Sequence, residues 1–118
     1  MSYKDATTIT SRNHAEDKGT KHDQGKPEIS LVPGDAIEEI AKVFSYGAKK
    51  YNRNNWLQGM HWSRLLDASF RHLFAYSRGE AVDPESGLSH LSHAACNLLM
   101  LLAYSRRNLG VDDISNSK

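Results

Sequence analysis

Four polar side chains punctuate an apolar stretch near one end of the chain: Ser86, His90, His93 and Asn97, within "DPESGLSHLSHAACNLLMLLAYS". Their spacing places them on one face of a helix. Imidazole in such a stripe can bind metal, donate to phosphate or move protons near neutral pH. The same stripe can equally be a solvated face, or histidines satisfied between two helices. His-x-x-His alone does not separate these readings.

Other clusters carry complementary chemistry. Arg64, Asp67, Arg71 and Arg78 recur at helical spacing, with His72 beside Arg71. Asp67 could simply pair with Arg64 and Arg71, an exposed contact worth about 0–1 kcal/mol. Alternatively, the guanidinium groups could grip phosphate oxygens in a bidentate fork. The segment "GEAVDPESG" gathers Glu80, Asp83 and Glu85, hard oxygen donors of the kind Mg²⁺ prefers. Asp83 is also a natural helix cap, and Glu85 suits a first helical turn. Glu38 and Glu39 form a further pair of carboxylates.

Upstream, "KHDQGKP" sets Lys21, Asp23 and Lys26 around Gly25, and "GAKKYNRNNW" combines Lys49 and Lys50 with Tyr51, Asn55 and Trp56. Cations, amides and aromatic rings together are what a nucleotide's phosphates and base require. The P-loop pattern G-x-x-x-x-G-K-[ST] is absent.

Three helices must position these groups. The first starts at Asp35, an N-cap with Glu38 three residues on, and presents Ile37, Ile40, Ala41, Phe44, Ala48 and Tyr51 to a core. The second covers about 62–78, with Trp62, Leu65, Leu66, Leu73 and Phe74 on its apolar face and Gly79 at its end. The third starts at Asp83 with Pro84 in the first helical position and runs to about Asn108. Leu88, Leu91, Ala95, Leu98 and Leu102 form its seam. "PEISLVP" is the one uncertain strand-like segment. The expected fold is all-α: three main helices in a bundle completed by oligomerisation. A flexible arm is expected over residues 1–20, one helical domain over 21–110, and a short frayed tail over 111–118.

Composition bounds the partners. Among 118 residues, 39% are hydrophobic and 25% charged, with a net charge of +1. That balance gives no reason to expect nucleic acid or a membrane as a partner. Cys96, the one cysteine, reads as a core residue in a reducing compartment. No run at the N-terminus resembles a signal peptide or an anchor. A cytoplasmic location is expected.

Taken in order, "KHDQGKPEISLVP", "YGAKKYNRNNW" and "SRLLDASFRHLFAYSRGEAVDPESGLSHLSHAACNLLMLL" resemble the N-terminal domain family of dATP/dGTP diphosphohydrolases, small proteins common in bacteriophage genomes. The resemblance runs from about Lys21 to Tyr104. It implies kinship with the all-α MazG-like nucleoside triphosphate pyrophosphohydrolases, which assemble as dimers or tetramers. Those enzymes hold Mg²⁺ on helical carboxylates and release monophosphate and pyrophosphate. Where the relatives' second acidic motif falls, this chain has His93 and Asn97; near the first it has Asp67 and Arg71.

The resemblance therefore implies a purine (d)NTP pyrophosphohydrolase in the host cytoplasm, with a divalent ion, Mg²⁺ or else Mn²⁺ or Zn²⁺. Asp67, Glu85, His93 and Asn97 would be catalytic. Lys26, Lys49, Lys50, Tyr51, Asn55, Trp56, Arg64, Arg71, His72 and His90 would bind substrate, with Tyr51 or Trp56 stacking on the base. Glu38, Glu39, Glu80 and Asp83 would offer metal ligands. The alternative is a nucleotide-sequestering protein that keeps the cleft without the chemistry.

Overall fold

The computed structural model describes residues 17–115, which fall into two units meeting after Val32. In the first, a turn closes where the Lys26 amide donates to the Asp23 carbonyl (3.1 Å), with Gly25 at φ 82°. The uncertain "PEISLVP" segment contains a single 3-10 turn, Ile29–Leu31, and no strand. Most of the expected arm lies outside the described residues.

The second unit is three helices: α1 Gly34–Lys50, α2 Trp62–Ser77 and α3 His90–Arg107. A 3-10 turn, Asn55–Gln58, lies between α1 and α2. The described residues hold two isolated backbone bridges and no extended strand, so the fold is all-α. Helix α3 packs on both α1 and α2, more extensively on α2.

Helix α1 starts two residues earlier than the capping box implied. Pro33 occupies the cap position, and the Asp35 carboxylate accepts from the next amide, Ala36 (2.9 Å), instead of closing a box with Glu38. Lys49 and Lys50 end the helix, where cations suit the macrodipole. Helix α2 matches its expected span. Gly79, at φ 99°, follows its C-cap, and the Glu80 amide returns to the Ala75 carbonyl (3.0 Å).

The largest departure is at the start of α3. Asp83 and Pro84 do not begin it; Ser89 caps it, its hydroxyl accepting from the Leu91 amide (3.1 Å). Asp83 spends its groups on a local turn instead. Its side chain accepts from the Glu85 amide (3.1 Å) and its carbonyl from Gly87 (2.8 Å), while its own amide donates to Leu88 (2.9 Å). Gly87 at φ 74° reverses the chain there, a conformation no helical residue adopts.

The second departure is which face of α3 is inside. His90, Ser92, His93, Ala94, Cys96 and Tyr104 are buried, whereas Leu91, Leu98 and Leu102 of the expected seam are exposed, as is Leu99 beside them. Small residues let α2 and α3 approach: the buried Ser69 hydroxyl lies 3.1 Å from the Leu65 carbonyl of its own helix and 3.2 Å from Ala94 across the interface. Tyr104 is fully buried, donating its hydroxyl to the Trp56 carbonyl (2.5 Å), with the two rings 6.0 Å apart. Phe44 meets Trp56 edge-on at 6.3 Å, tying α1 to the same cluster. Burial pushes the Cys96 thiol up to about 12.

Residues 111–115 do not fray. Asp113 accepts from the Ser63 amide (2.9 Å) and hydroxyl (2.6 Å), capping the first turn of α2 from afar, and these bonds hold its carboxyl below the usual range. Trp62 donates its indole N–H to Leu109 (2.8 Å), and the Trp62 amide donates to Val111 (2.9 Å). Among the described residues no helix is long and apolar enough to cross a membrane.

Gly110 makes this latch possible: at φ 75° it presses close enough to Met60 that any Cβ would strike the Met60 carbonyl oxygen. Gly79 is equally left-handed but has open space around it. Gly79→Ala should therefore cost about 1–2 kcal/mol, the left-handed penalty alone, and Gly110→Ala clearly more. Urea denaturation of both variants checks this; equal losses would show that the latch does not strain around the added methyl.

Candidate functional site

The buried polar face of α3 meets His72 of α2 and the 79–89 loop. His93 Nε2 lies 2.6 Å from the Ser86 hydroxyl and 3.4 Å from Asp83 Oδ2. The Ser86 hydroxyl also reaches Asp83 Oδ2 (3.3 Å) and accepts from the Leu88 amide (3.1 Å). His90 Nε2 lies 2.6 Å from Glu80 Oε1, and His90 Nδ1 lies 2.8 Å from His72 Nδ1. The His72 ring stacks on His93 with centroids 4.5 Å apart and planes 10° from parallel. Three histidines, two carboxylates and a hydroxyl thus form one connected cluster.

Ser86 joins the stripe although it is not on the helix. The loop delivers it to the place that helical spacing assigned it, because Asp83 and Gly87 fold the segment back over the first turn of α3.

Burial lowers the His72 pKa, with the neighbouring imidazoles His93 and His90 acting in the same direction. Burial also lowers that of His93, with Asp83 opposing. Both rings are therefore held uncharged near neutral pH.

A second group borders this centre. Glu85 accepts from Lys50 Nζ (2.5 Å) and from the Tyr46 hydroxyl (3.0 Å), and these two hydrogen bonds hold its carboxyl below the ordinary value. The same bond to Glu85 raises Lys50. Tyr46 in turn meets His93 edge-on at 6.2 Å, linking the two groups. The sequence reading had not singled out Tyr46, yet it precedes Lys50 by one helical turn and shares its face.

The remaining candidates are dispersed. Asp67, Arg64 and Arg71 are exposed, and no ion pair joins them among the described residues. Arg71 acts electrostatically on His72, whereas Arg64 acts on Tyr104, at the aromatic cluster. Asn97 donates to the His93 carbonyl within its own helix (2.9 Å). Glu39 pairs with Lys42 (2.5 Å), and Glu38 lines a shallow groove on α1 with Lys42, Tyr46 and Lys49. Trp56 packs against Phe44 and Tyr104 with Arg107 over its ring at 5.5 Å, whereas Tyr51 is exposed, 5.3 Å below Lys50. Asn55 opens the 3-10 turn. Lys26 belongs to the separate 17–32 unit.

One residue set has the composition and spacing to hold a metal: His72, Asp83 and His93 offer donor atoms all within 4.8 Å of one another. Neutral imidazole and carboxylate together suit a divalent ion. The stacked rings keep their in-plane lone pairs side by side, so both could ligate one ion only after one imidazole turns about its Cβ–Cγ bond.

Fold and site together define an all-α domain whose chemistry is gathered in an imidazole–carboxylate centre between its second and third helices. Residues 16–114 match the family model described as dATP/dGTP diphosphohydrolase, N-terminal, and the chain belongs to that family. It is similar to a dATP/dGTP diphosphohydrolase of Salmonella phage PMBT28, with 43% identity over 83 residues, covering 70% of this chain and 28% of that protein. The chain thus matches little more than a quarter of that relative's length. No solved structure matches it.

The depressed histidines have a consequence for stability. In the unfolded chain they titrate near 6.5, above their folded values, so below that pH the unfolded state takes up more protons. With chelator present, the melting temperature should hold above about pH 7 and fall as pH drops through 6.5. His72→Gln should flatten that fall. An identical pH profile in the variant would mean that His72 is not held neutral.

Proposed function

We propose that this domain binds a purine (d)NTP over the His72–Asp83–His93 centre and hydrolyses it to monophosphate and pyrophosphate. The observation that carries this reading is the pairing of two uncharged imidazoles, His93 buried and His72 half-buried, with the Asp83 carboxylate, and with the cations Lys50 and Arg71 acting on them. Membership of the dATP/dGTP diphosphohydrolase N-terminal family, and the activity for which the phage relative is named, suggest the substrate class. Fold alone would not license it.

The residues divide the work as follows. Lys50 and Arg71 offset the phosphate charge, and Lys50 becomes available as an anionic phosphate competes with Glu85 for it. Tyr51, exposed beside Lys50, offers a face to the base. His93, neutral and hydrogen-bonded to Ser86, accepts a proton from water as the water oxygen attacks the α-phosphorus. The bond from that phosphorus to the bridging oxygen breaks, and pyrophosphate leaves with the electron pair. Were a divalent ion held by His72, Asp83 and His93, it would supply Lewis-acid stabilisation of the phosphate oxygens, and Glu85 rather than the ligating His93 would take the proton. MazG-like kinship is consistent with this chemistry but would be realised here with imidazoles in place of two acids.

We also propose that two or more copies associate through the exposed leucines Leu91, Leu98, Leu99 and Leu102 of α3. The buried apolar set of one chain, Val43, Leu65, Ala94, Cys96 and Tyr104, is small by comparison, and burying an aliphatic side chain fully contributes about 1.5–3 kcal/mol. Leu98→Glu should shift light-scattering mass towards the monomer; an unchanged mass places the interface elsewhere.

The activity is tested by incubating untagged protein with each NTP and dNTP in Mg²⁺, Mn²⁺ or chelator and separating products by ion exchange. Monophosphate and pyrophosphate should accumulate from purine nucleotides over many turnovers. His93→Ala should lower the rate by about 100-fold or more, the scale of a lost general base, and Arg71→Ala should weaken it with helical content unchanged. Retention of one nucleotide per site without product would support sequestration instead, the reading favoured by His93 and Asn97 standing where the relatives carry acids.

A further inference from the structure

We infer that His72, Asp83 and His93 form a site for a borderline divalent ion of the zinc, cobalt or manganese class, and that Glu80, acting through His90, holds His72 in the tautomer that binds it. It rests on the centre over which we propose that nucleotide binds, but it is tested apart from turnover, because the donors are the chain's own and need no substrate phosphate.

Two donors already stand at the spacing such an ion needs, and the third joins them when one imidazole turns. Four-coordinate sites with metal–ligand bonds of about 2.0–2.1 Å set neighbouring donors roughly 3.3 Å apart. His93 Nε2 and Asp83 Oδ2 are 3.4 Å apart, and His72 completes a set within 4.8 Å. The donor types discriminate among ions. Two imidazoles and one carboxylate favour a borderline cation over Mg²⁺, which prefers an all-oxygen, largely hydrated shell. The Ser86 hydroxyl sits beside both fixed donors, 2.6 Å from His93 and 3.3 Å from Asp83, and so borders the position an ion would take.

The outer contacts sort the protons. Glu80, as a carboxylate, only accepts, so His90 donates from Nε2 (2.6 Å). A single ring proton held at Nε2 by Glu80 leaves His90 Nδ1 an acceptor, and the 2.8 Å contact between the two Nδ1 atoms is then satisfied by a proton on His72. With its proton on Nδ1, His72 keeps its lone pair on Nε2, which makes no hydrogen bond among the described residues. A carboxylate orienting a metal-binding imidazole is a common outer-shell device; here a second imidazole is interposed. Glu80 is a positioning residue: it touches neither the ion nor His72.

The test uses the full, untagged chain, dialysed against chelator and free of nucleotide. Calorimetric titration with Zn²⁺ and with Mg²⁺ should show one Zn²⁺ per chain and far weaker binding of Mg²⁺. Co²⁺ should develop visible absorption as imidazoles replace water. Asp83→Asn and His72→Gln should lose the Co²⁺ spectrum. Glu80→Gln, a surface change with little reason to unfold the domain, should weaken Zn²⁺ binding by about 10–100-fold, as outer-shell losses do. Asp35→Asn, an exposed carboxylate in the first turn of α1, should leave it unchanged. The site is overturned if no ion binds, if Mg²⁺ binds as tightly as Zn²⁺, or if His72→Gln keeps the spectrum. Unchanged affinity in Glu80→Gln overturns the tautomer assignment. Zn²⁺ binding by a chain that turns over no nucleotide would support this inference while removing the enzymatic one.

Discussion

The helix that carries most of the chemistry is turned with its histidines inward, and the rest of the helical unit is arranged around that choice. Buried imidazole needs partners for its ring nitrogens, because an unpaired polar group inside a protein costs about 1–3 kcal/mol. His90 finds Glu80 and His72; His93 finds Ser86 and Asp83. Those partners all come from α2 and from the loop that follows it. The loop is consequently shaped by the needs of the histidines. It must fold back far enough to bring Glu80, Asp83 and Ser86 over one helical turn, and Gly79 and Gly87 supply the left-handed residues that allow it.

Much of this could be read from the residues themselves. Helix α2 and the C-terminal ends of all three helices followed periodicity, glycine and charge signals, and three members of the stripe, Ser86, His90 and His93, are brought into one cluster. The start of α3 was misread for a definite reason. Asp-Pro is a strong opening for a helix, but an aspartate side chain can equally close a turn on its own neighbours, and Gly87 settles the contest two residues before the true cap. Which side of α3 faces inward was hidden too. Leucine content argues for burial, yet the small residues Ser69 and Ala94 let α2 approach on the histidine side, and no count of apolar residues reveals a close approach.

The site shows the same mixture. Glu80 and Asp83 were visible as oxygen donors, but their partners were not, since hydrogen bonds between a loop and a helix leave no periodic trace. Tyr46 was overlooked because a tyrosine on an amphipathic helix looks like core. Trp56, by contrast, drew attention as a ring near two lysines and is engaged with Phe44, Tyr104 and Arg107. Tyr51, a less conspicuous neighbour, is the one left open to solvent.

Cys96 lies on the same inward face, one turn beyond the histidines, with its thiol almost wholly shielded and held in the protonated form. Thiolate is the reactive species, so the folded chain offers an alkylating reagent nothing to attack. The sulfur becomes available only when the packing over the inward face of α3 opens, and that face also holds His90 and His93. The single cysteine is thus a natural clock: the rate at which it is labelled counts how often that face is uncovered, without any probe having to be introduced.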